Sequence, residues 1–282
     1  MHGLFRDEAD DSENDDDDYL ISRHEWICGD TCIVYHLSFL APGHGDALWN
    51  SSRCIAQHLL QDNLRERLLF TEDYSNGIIS TPPESTADCN RIINFVWPPS
   101  SALEFGVGAA LPSLALIKLG VPKVVLTDRK VNESTFEALE RSISVNCSAW
   151  NTNQANNNNK QQSIVVAPHT WGVDIPDLQE HAQQERFDLL IASDCIYNPQ
   201  YHQALLESVY ALLDKHRGRL IVGYSFHGNV PNPSVLDFFQ KADVGGLQIV
   251  KEFSQSYDQG QEGIGGVDPE RGAVHIKVLA YR

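Results

Sequence analysis

The chain has 282 residues and carries 38 acidic against 21 basic side chains, a net charge of −17. No basic cluster occurs, which argues against nucleic acid as a partner, because phosphate binding needs a positive patch. No apolar run approaches the roughly twenty residues of a bilayer-spanning helix, and no hydrophobic leader opens the chain, so neither a membrane partner nor export is expected.

The first segment, residues 1–18, concentrates acids in Asp7, Glu8, Asp10, Asp11, Glu13 and Asp15 to Asp18. Such a run repels itself, buries nothing and is expected to be a disordered tail, either solubilising or steering toward a basic partner. Residues 19–100 read as an N-terminal extension. Within it, Glu25 to Leu37 predicts a β-hairpin turning at Gly29-Asp30, and apolar residues at helical spacing from Asp46 to Leu60 predict a helix with Asp46 as its N-cap. Thr71 to Arg91 has no periodicity and reads as an inserted surface loop. Cys28 and Cys32 flank the hairpin turn, and in a chain without an export signal reduced thiols are the expected state. None of the six cysteines forms a Cys-x-x-Cys pair, so no metal site is expected.

Residues 101–282 alternate strand and helix patterns. Strands are predicted at Leu103–Phe105, Val124–Thr127, Ile164–Ala167, Phe187–Ala192, Arg219–Tyr224, Leu247–Phe253 and Ala273–Tyr281. Helices are predicted at Leu111–Leu119, Thr135–Trp150, Tyr201–Leu213 and Pro233–Ala242. The run Asn151 to Gln162 is a low-complexity insertion and Gly260 to Gly266 a mobile loop. The last two strands have little helix potential between them and suit antiparallel pairing. The expected fold is α/β, a doubly wound sheet of about seven strands.

Two stretches carry the chemistry. Ala102-Leu-Glu-Phe-Gly-Val-Gly-Ala-Ala-Leu-Pro-Ser113 is a strand, a glycine turn and a helix, and Asp128 ends the next strand about twenty residues on, the spacing of an α/β nucleoside-cofactor site. Gly106 and Gly108 let the backbone bend sharply and approach a ligand. Glu104 stands where dinucleotide enzymes carry an apolar residue, and it would repel a pyrophosphate while attracting a cation. Leu111 occupies the position of the third glycine of the dinucleotide pattern. These residues favour S-adenosyl-L-methionine, with its sulfonium and ammonium groups, over a nicotinamide cofactor.

The second stretch, Phe187-Asp-Leu-Leu-Ile-Ala-Ser-Asp-Cys-Ile-Tyr197, is a buried strand emptying into polar residues at its carboxyl end. Ser193, Asp194 and Tyr197 therefore belong beside the glycine turn, although Asp194 equally suits a loop tie or a helix cap. Trp171, in His169-Thr-Trp-Gly172, suits either an adenine face or the core, and Trp49 suits either the pocket or packing of the extension. Phe226-His227 ends the fifth strand, near an acceptor channel, where a structural histidine is the simpler reading.

Taken in order, Leu48-Trp-Asn50, the glycine turn, Val125-Leu-Thr-Asp128, Trp171-Gly172 and Ser193-Asp-Cys-Ile-Tyr197 resemble the family-16, seven-β-strand protein lysine methyltransferases. They resemble most the branch formerly called nicotinamide N-methyltransferase-like, linked to N-terminal and lysine methylation of translation elongation factor 1A. The resemblance covers about residues 20–282 and implies a Rossmann-like, S-adenosylmethionine-dependent methyltransferase domain over residues 101–282; the acidic composition suits a basic protein substrate, and a monomer in the cytoplasm, or failing that the nucleus, is expected. The resemblance implies that Trp49, Glu104, Gly106, Val107, Gly108, Asp128, Trp171 and Ser193 bind the cofactor, and that Asp194 and Tyr197 border the acceptor amine as catalytic residues. Ala110 departs from a glycine common in the family, and Phe105 from a usual leucine. A small-molecule N-methyltransferase and a non-catalytic binding module of the same fold remain the rival expectations.

Overall fold

The computed structural model describes residues 20–40, 47–70, 95–130, 133–151, 162–182, 186–226, 230–256 and 273–282. The acidic tail, Asp46, the Thr71–Arg91 segment, most of the Asn-rich insertion, His227 and the Gly260–Gly266 segment lie outside these residues. Among the described residues no helix is long and apolar enough to cross a membrane.

The chain opens with the expected hairpin. Strands β1 (Ile21–Cys28) and β2 (Thr31–Ser38) pair antiparallel around Gly29, whose φ of 56° needs no Cβ-bearing compromise. Cys28 stands opposite Thr31 and Cys32 opposite Ile27. Side chains alternate faces along a strand, so the two thiols point to opposite sides of the ribbon and cannot bridge; both are free.

Seven further strands form one sheet. They are β3 (Ala102–Phe105), β4 (Lys123–Asp128), β5 (Ser163–Pro168), β6 (Leu189–Ser193), β7 (Arg219–Tyr224), β8 (Leu247–Ser256) and β9 (Ala273–Tyr281), in the order β5-β4-β3-β6-β7-β9-β8. The first five are parallel, and β9 inserts antiparallel between β7 and β8. The chain builds outward from β3 in one direction, then returns to β6 on the other side. The β3–β6 boundary is therefore the point where strand order reverses, and the crevice outside its carboxyl ends is where such sheets hold ligands.

Both faces of the sheet are covered, as its apolar strands demand. Ala102, Val124, Leu189, Ile191 and Ile221 face one core, with α1 (Asn50–Leu60), α2 (Asp62–Leu69), α3 (Leu111–Lys118), α4 (Glu133–Asn151) and the hairpin above them. Leu103, Phe105, Val125, Leu190 and Val222 face the other, beneath α5 (Ile175–His181), α6 (His202–Leu212) and α7 (Asn232–Val244). Helix α3 is buried from Leu111 through Ile117, so it reads as apolar all round rather than amphipathic.

The structure corrects four elements. The helix expected from Asp46 begins at Asn50, because Trp49 is extended (ψ 148°) and serves as the N-cap residue without a side-chain cap bond. The strand expected from Phe187 begins at Leu189; Phe187 instead exchanges backbone bonds with Leu212 and Asp214. Helices α2 and α5 were not foreseen, since α2 buries only Leu68 and Leu69, and α5 only Leu178, leaving no stripe to detect.

The outer edge of β2 is closed by a helix rather than a strand. Asn146 on α4 accepts from the Val34 N–H at 3.0 Å and donates to the Val34 carbonyl at 2.5 Å, while the Ser142 hydroxyl accepts from the His36 N–H at 2.8 Å. Asn146→Ala leaves both Val34 groups unsatisfied, at a cost of about 1–3 kcal/mol each. The expected outcome is a melting temperature lower by about 2–4 °C per kcal/mol, read by differential scanning calorimetry.

Candidate functional site

The turn after β3 is held by its neighbours. The Val107 N–H bonds the Thr127 carbonyl at 3.1 Å, and the Thr127 hydroxyl bonds the Glu104 carbonyl at 2.8 Å, locking the turn to β4. Gly106 and Gly108 take φ of 56° and 47°. Ala110 also takes φ 56°, in the left-handed region that costs a Cβ-bearing residue about 1–2 kcal/mol, so the departure from glycine there is carried as backbone strain. A Cβ on Gly106 would stand 3.2 Å from Cys195 Sγ and 3.5 Å from Trp171 Cζ2, whereas one on Gly108 would meet nothing within 4 Å. Gly106 thus admits close packing from below, and Gly108 faces open space.

Glu104 lies beneath this turn, on the α3 face, and is 1 % exposed. Its Oε2 accepts from the Ser113 N–H at 2.9 Å and the Ser113 hydroxyl at 2.5 Å, so half of the carboxyl group anchors the first turn of α3. Its Oε1 is buried with no partner among the described residues. Burial pushes the Glu104 pKa up to about 8, against the Ser113 bonds that pull it down. Asp128, at the end of β4, accepts from the Gly108 N–H at 3.1 Å and the Arg129 N–H at 2.7 Å, and burial raises its pKa as well.

Ser193 and Asp194 leave the neighbouring strand β6. Asp194 adopts φ 52°, a conformation in which short polar side chains are tolerated best. Its N–H bonds the Gly223 carbonyl at 2.8 Å, its Oδ1 accepts from the Ser225 N–H at 3.2 Å, and its Oδ2 accepts from the Ser51 hydroxyl. Asp194 therefore is a loop tie, joining β6, β7 and α1, and it stands at the mouth of the crevice at the same time. Cys195, just past the end of β6, is buried and donates to the Phe105 carbonyl at 3.1 Å. Burial raises its thiol pKa well above the ordinary value, and Asp128, Glu104 and Asp194 all add to this electrostatically. Three carboxyl groups therefore lie close enough to Cys195 to act on it at the strand-order reversal.

The aromatic residues frame this spot. Trp171 sits in the loop after β5, which Ser208 of α6 pins by contacting His169 Nε2 at 3.0 Å and accepting from the Gly172 N–H at 2.8 Å. Burial holds the His169 pKa down to about 4, so this histidine is a neutral anchor. The Trp171 ring meets Tyr201 edge-on, with centroids 6.3 Å apart. Tyr197 is partly exposed, and its phenol pKa is raised first by burial. Arg129, Tyr201 and Asp128 lie close enough to act on that phenol electrostatically. Trp49 directly precedes α1.

The structure thus brings together Glu104, Gly106, Val107, Gly108, Asp128, Trp171, Ser193, Asp194 and Tyr197 around the ends of β3, β4 and β6, with Trp49 beside α1. Sequence reasoning missed Ser51 and Ser113. Ser113 carried a signal, a serine in the first turn of an otherwise apolar helix nine residues after a buried acid. Ser51 carried none beyond its place after Leu48-Trp-Asn50.

The lysine methyltransferase family model matches residues 38–242. The chain belongs to that family. Among curated relatives of this lysine methyltransferase family member, the protein N-terminal and lysine N-methyltransferase EFM7 of Cryptococcus neoformans is 30% identical over 208 residues, covering 73% of this chain and 56% of that protein. The EFM7 protein of Aspergillus fumigatus is 23% identical over 241 residues, covering 84% of this chain and 78% of that one. The chain thus spans little more than half the length of the Cryptococcus relative it matches. A solved Streptococcus mutans chain, provisionally classed as a SAM-dependent methyltransferase, overlays with a TM-score of 0.51 at 11% identity, covering 92% of this chain and 55% of that one. At that identity the likeness speaks for the shared fold alone.

The residues fit an S-adenosylmethionine molecule by two observations. The Glu104 Oε1 is buried with no partner among the described residues, and the space over Gly108 is open. Gly108→Ala tests the second. The expected outcome is a melting temperature only a few degrees lower, from about 1–2 kcal/mol of left-handed strain. Donor affinity by isothermal titration is expected to fall at least about tenfold, because the methyl occupies the ligand's side of the turn.

Proposed function

We propose that the chain is an S-adenosylmethionine-dependent protein N-methyltransferase acting on a lysine, or on the N-terminal amine, of a basic protein, with translation elongation factor 1A as the acceptor suggested by the family branch. The observation that carries this reading is the unpartnered Glu104 oxygen at the strand-order reversal, flanked by Asp128 and Asp194. It suits a cofactor bearing positive charge and an amine, and family membership supplies the class of acceptor. The acidic composition suits a basic partner. In this reading the protein works as a cytoplasmic monomer.

The cofactor supplies an activated methyl group, so the protein's own work is to orient, desolvate and exclude water. Glu104 and Asp128 hold the donor, with Gly106, Val107 and Gly108 as its backbone cradle and Trp171, Ser193 and Trp49 as its walls. The acceptor must arrive as a neutral amine, yet free lysine titrates at about 10.4. Desolvation beside Tyr197 and Trp171 lowers that value. Asp194, held by its Ser51 and Ser225 bonds, accepts from the amine and aims its lone pair.

The deciding experiment incubates the full chain with isotope-labelled S-adenosylmethionine and a whole-cell lysate, followed by mass spectrometry of labelled species. The expected result is label on a lysine or N-terminal amine of a basic protein. Label confined to small molecules such as nicotinamide assigns the acceptor to that class instead. No label, together with no calorimetric affinity for the donor, overturns the enzyme reading.

A further inference from the structure

The catalytic pairing of Asp194 and Tyr197 is read from the sheet domain, yet the group that holds Asp194 comes from outside it. Ser51 lies on α1, in the extension, 142 residues before Ser193 and 143 before Asp194. It is fully buried. Its hydroxyl lies 2.8 Å from the Ser193 hydroxyl and bonds Asp194 Oδ2. A hydroxyl has one proton to give. With an ionised Asp194 as acceptor, Ser51 spends that proton on the carboxylate, and Ser193 must donate to Ser51. The order Ser193 to Ser51 to Asp194 leaves the Ser193 oxygen with its lone pairs free to accept.

The approach of α1 is built for this contact. Helix α1 packs directly on β7 where Gly223 lacks a side chain; a Cβ there would stand 2.8 Å from Ile55 Cδ1 and 3.1 Å from Ser51 Cβ. Gly223 is also the residue whose carbonyl receives the Asp194 N–H. One bare backbone position therefore admits the helix and ties the loop. The N-terminus of α1 has no side-chain cap bond of its own, so the Ser51 hydroxyl is not engaged in capping but reaches across to the sheet. Its positive dipole end adds to the pull on the Asp194 carboxylate.

We propose that Ser51 is a positioning residue for methyl transfer, which fixes the Asp194 carboxylate in its left-handed loop conformation and orients Ser193 toward the donor. The inference rests on the proposed methyltransferase function and deepens it. It makes the extension part of the catalytic apparatus rather than a cover on the sheet.

The control lies next to it. Ser52 is also buried, on the same helical turn, and its hydroxyl has no partner among the described residues. Ser51→Ala and Ser52→Ala remove the same atom from the same turn, and only the first removes a bond to Asp194. The experiment compares both variants of the full chain in three ways: kcat and acceptor KM on the labelled protein acceptor, donor affinity by calorimetry, and amide hydrogen exchange at Ser225, whose N–H bonds the other Asp194 oxygen. Expected for Ser51→Ala is a kcat lower by about ten- to a hundredfold, the scale of an ångström-sized misplacement, with acceptor KM and donor affinity within about threefold. Protection of the Ser225 amide is expected to fall as the carboxylate loses its second tether, and Ser52→Ala is expected to match the parent in every readout. Equal losses in both variants, or an unchanged kcat and unchanged Ser225 protection in Ser51→Ala, overturn the proposal. A parent protein that labels no acceptor and binds no donor overturns the function reading instead. The Ser225 exchange comparison still judges the tether in that case.

Discussion

Asp194→Ala is expected to lower methyl transfer by about 10²-fold or more while leaving the affinity for S-adenosylmethionine nearly intact. The separation follows from where the side chain sits. Its carboxylate lies beyond the glycine turn, tied to Ser51 and Ser225, while Glu104 and Asp128, the residues proposed to hold the donor, stand on β3 and β4. In the proposed mechanism, removing it takes away the acceptor for the incoming amine without touching the Gly106–Gly108 turn. Asp194→Asn is the more discriminating variant. Asparagine tolerates the φ of 52° as well as aspartate does, so the loop keeps its path while the charge is lost. Turnover as low in Asp194→Asn as in Asp194→Ala, at parental donor affinity by titration calorimetry, assigns the effect to the carboxylate. Full activity in Asp194→Asn removes the charge from the mechanism and leaves Asp194 as a loop tie.

Glu104→Gln is expected to weaken donor binding by about ten- to a hundredfold, the worth of one charge-assisted hydrogen bond, while raising the stability of the ligand-free protein. Both effects come from the same burial. The folded protein holds the Glu104 proton up to about pH 8, whereas an exposed carboxyl releases it near 4.5. Above pH 4.5 the folded state binds a proton that the unfolded state does not, so stability falls as pH rises, and the loss is complete at about pH 8. Glutamine needs no proton. The variant should therefore melt above the parent at neutral pH, by a margin that widens from pH 5 and levels off near 8. A donor ammonium placed at the unpartnered Oε1 reverses the preference and favours the carboxylate. Binding to the parent must then release a proton and strengthen as pH rises toward 8. Beyond that, an α-amino group, titrating at about 7.7–8.0, loses the charge that pays for the contact. Thermal melts and titration calorimetry in buffers of different ionisation enthalpy measure the two halves. A parent protein that binds the donor without proton release contradicts this placement of the ammonium.

The sequence made the crevice legible because its ingredients are local. A strand, two glycines and a helix in succession fix where a backbone turns, and the acid at the next strand end follows from the length of the crossover. The same logic brought Ser193, Asp194 and Tyr197 to the adjoining strand end, where β6 lies beside β3. Glu104 was read as facing a ligand, but one of its oxygens is spent on Ser113, a contact that needs the helix to fold back over the strand. Ser51 was invisible for the opposite reason, since its partners lie more than a hundred residues away and its neighbours in the chain describe only an amphipathic helix. The start of α1 lies later than the pattern predicts because Trp49 is extended, a backbone state that hydrophobic periodicity does not report. Helices α2 and α5 are polar and short, and tertiary contacts rather than periodicity sustain them.

The closure of the β2 edge by Asn146 and Ser142 bears on the order of folding. A two-stranded ribbon on its own is marginal in water. The groups that finish this one sit 112 and 106 residues further along. During synthesis the ribbon must wait for that helix, with an open strand edge exposed in the interval, the kind of surface on which nascent chains stick to one another. Pulse-labelled refolding should find Val34 and His36 acquiring protection together with the Glu133–Asn151 helix, among the late events, and a fragment ending before that helix should self-associate.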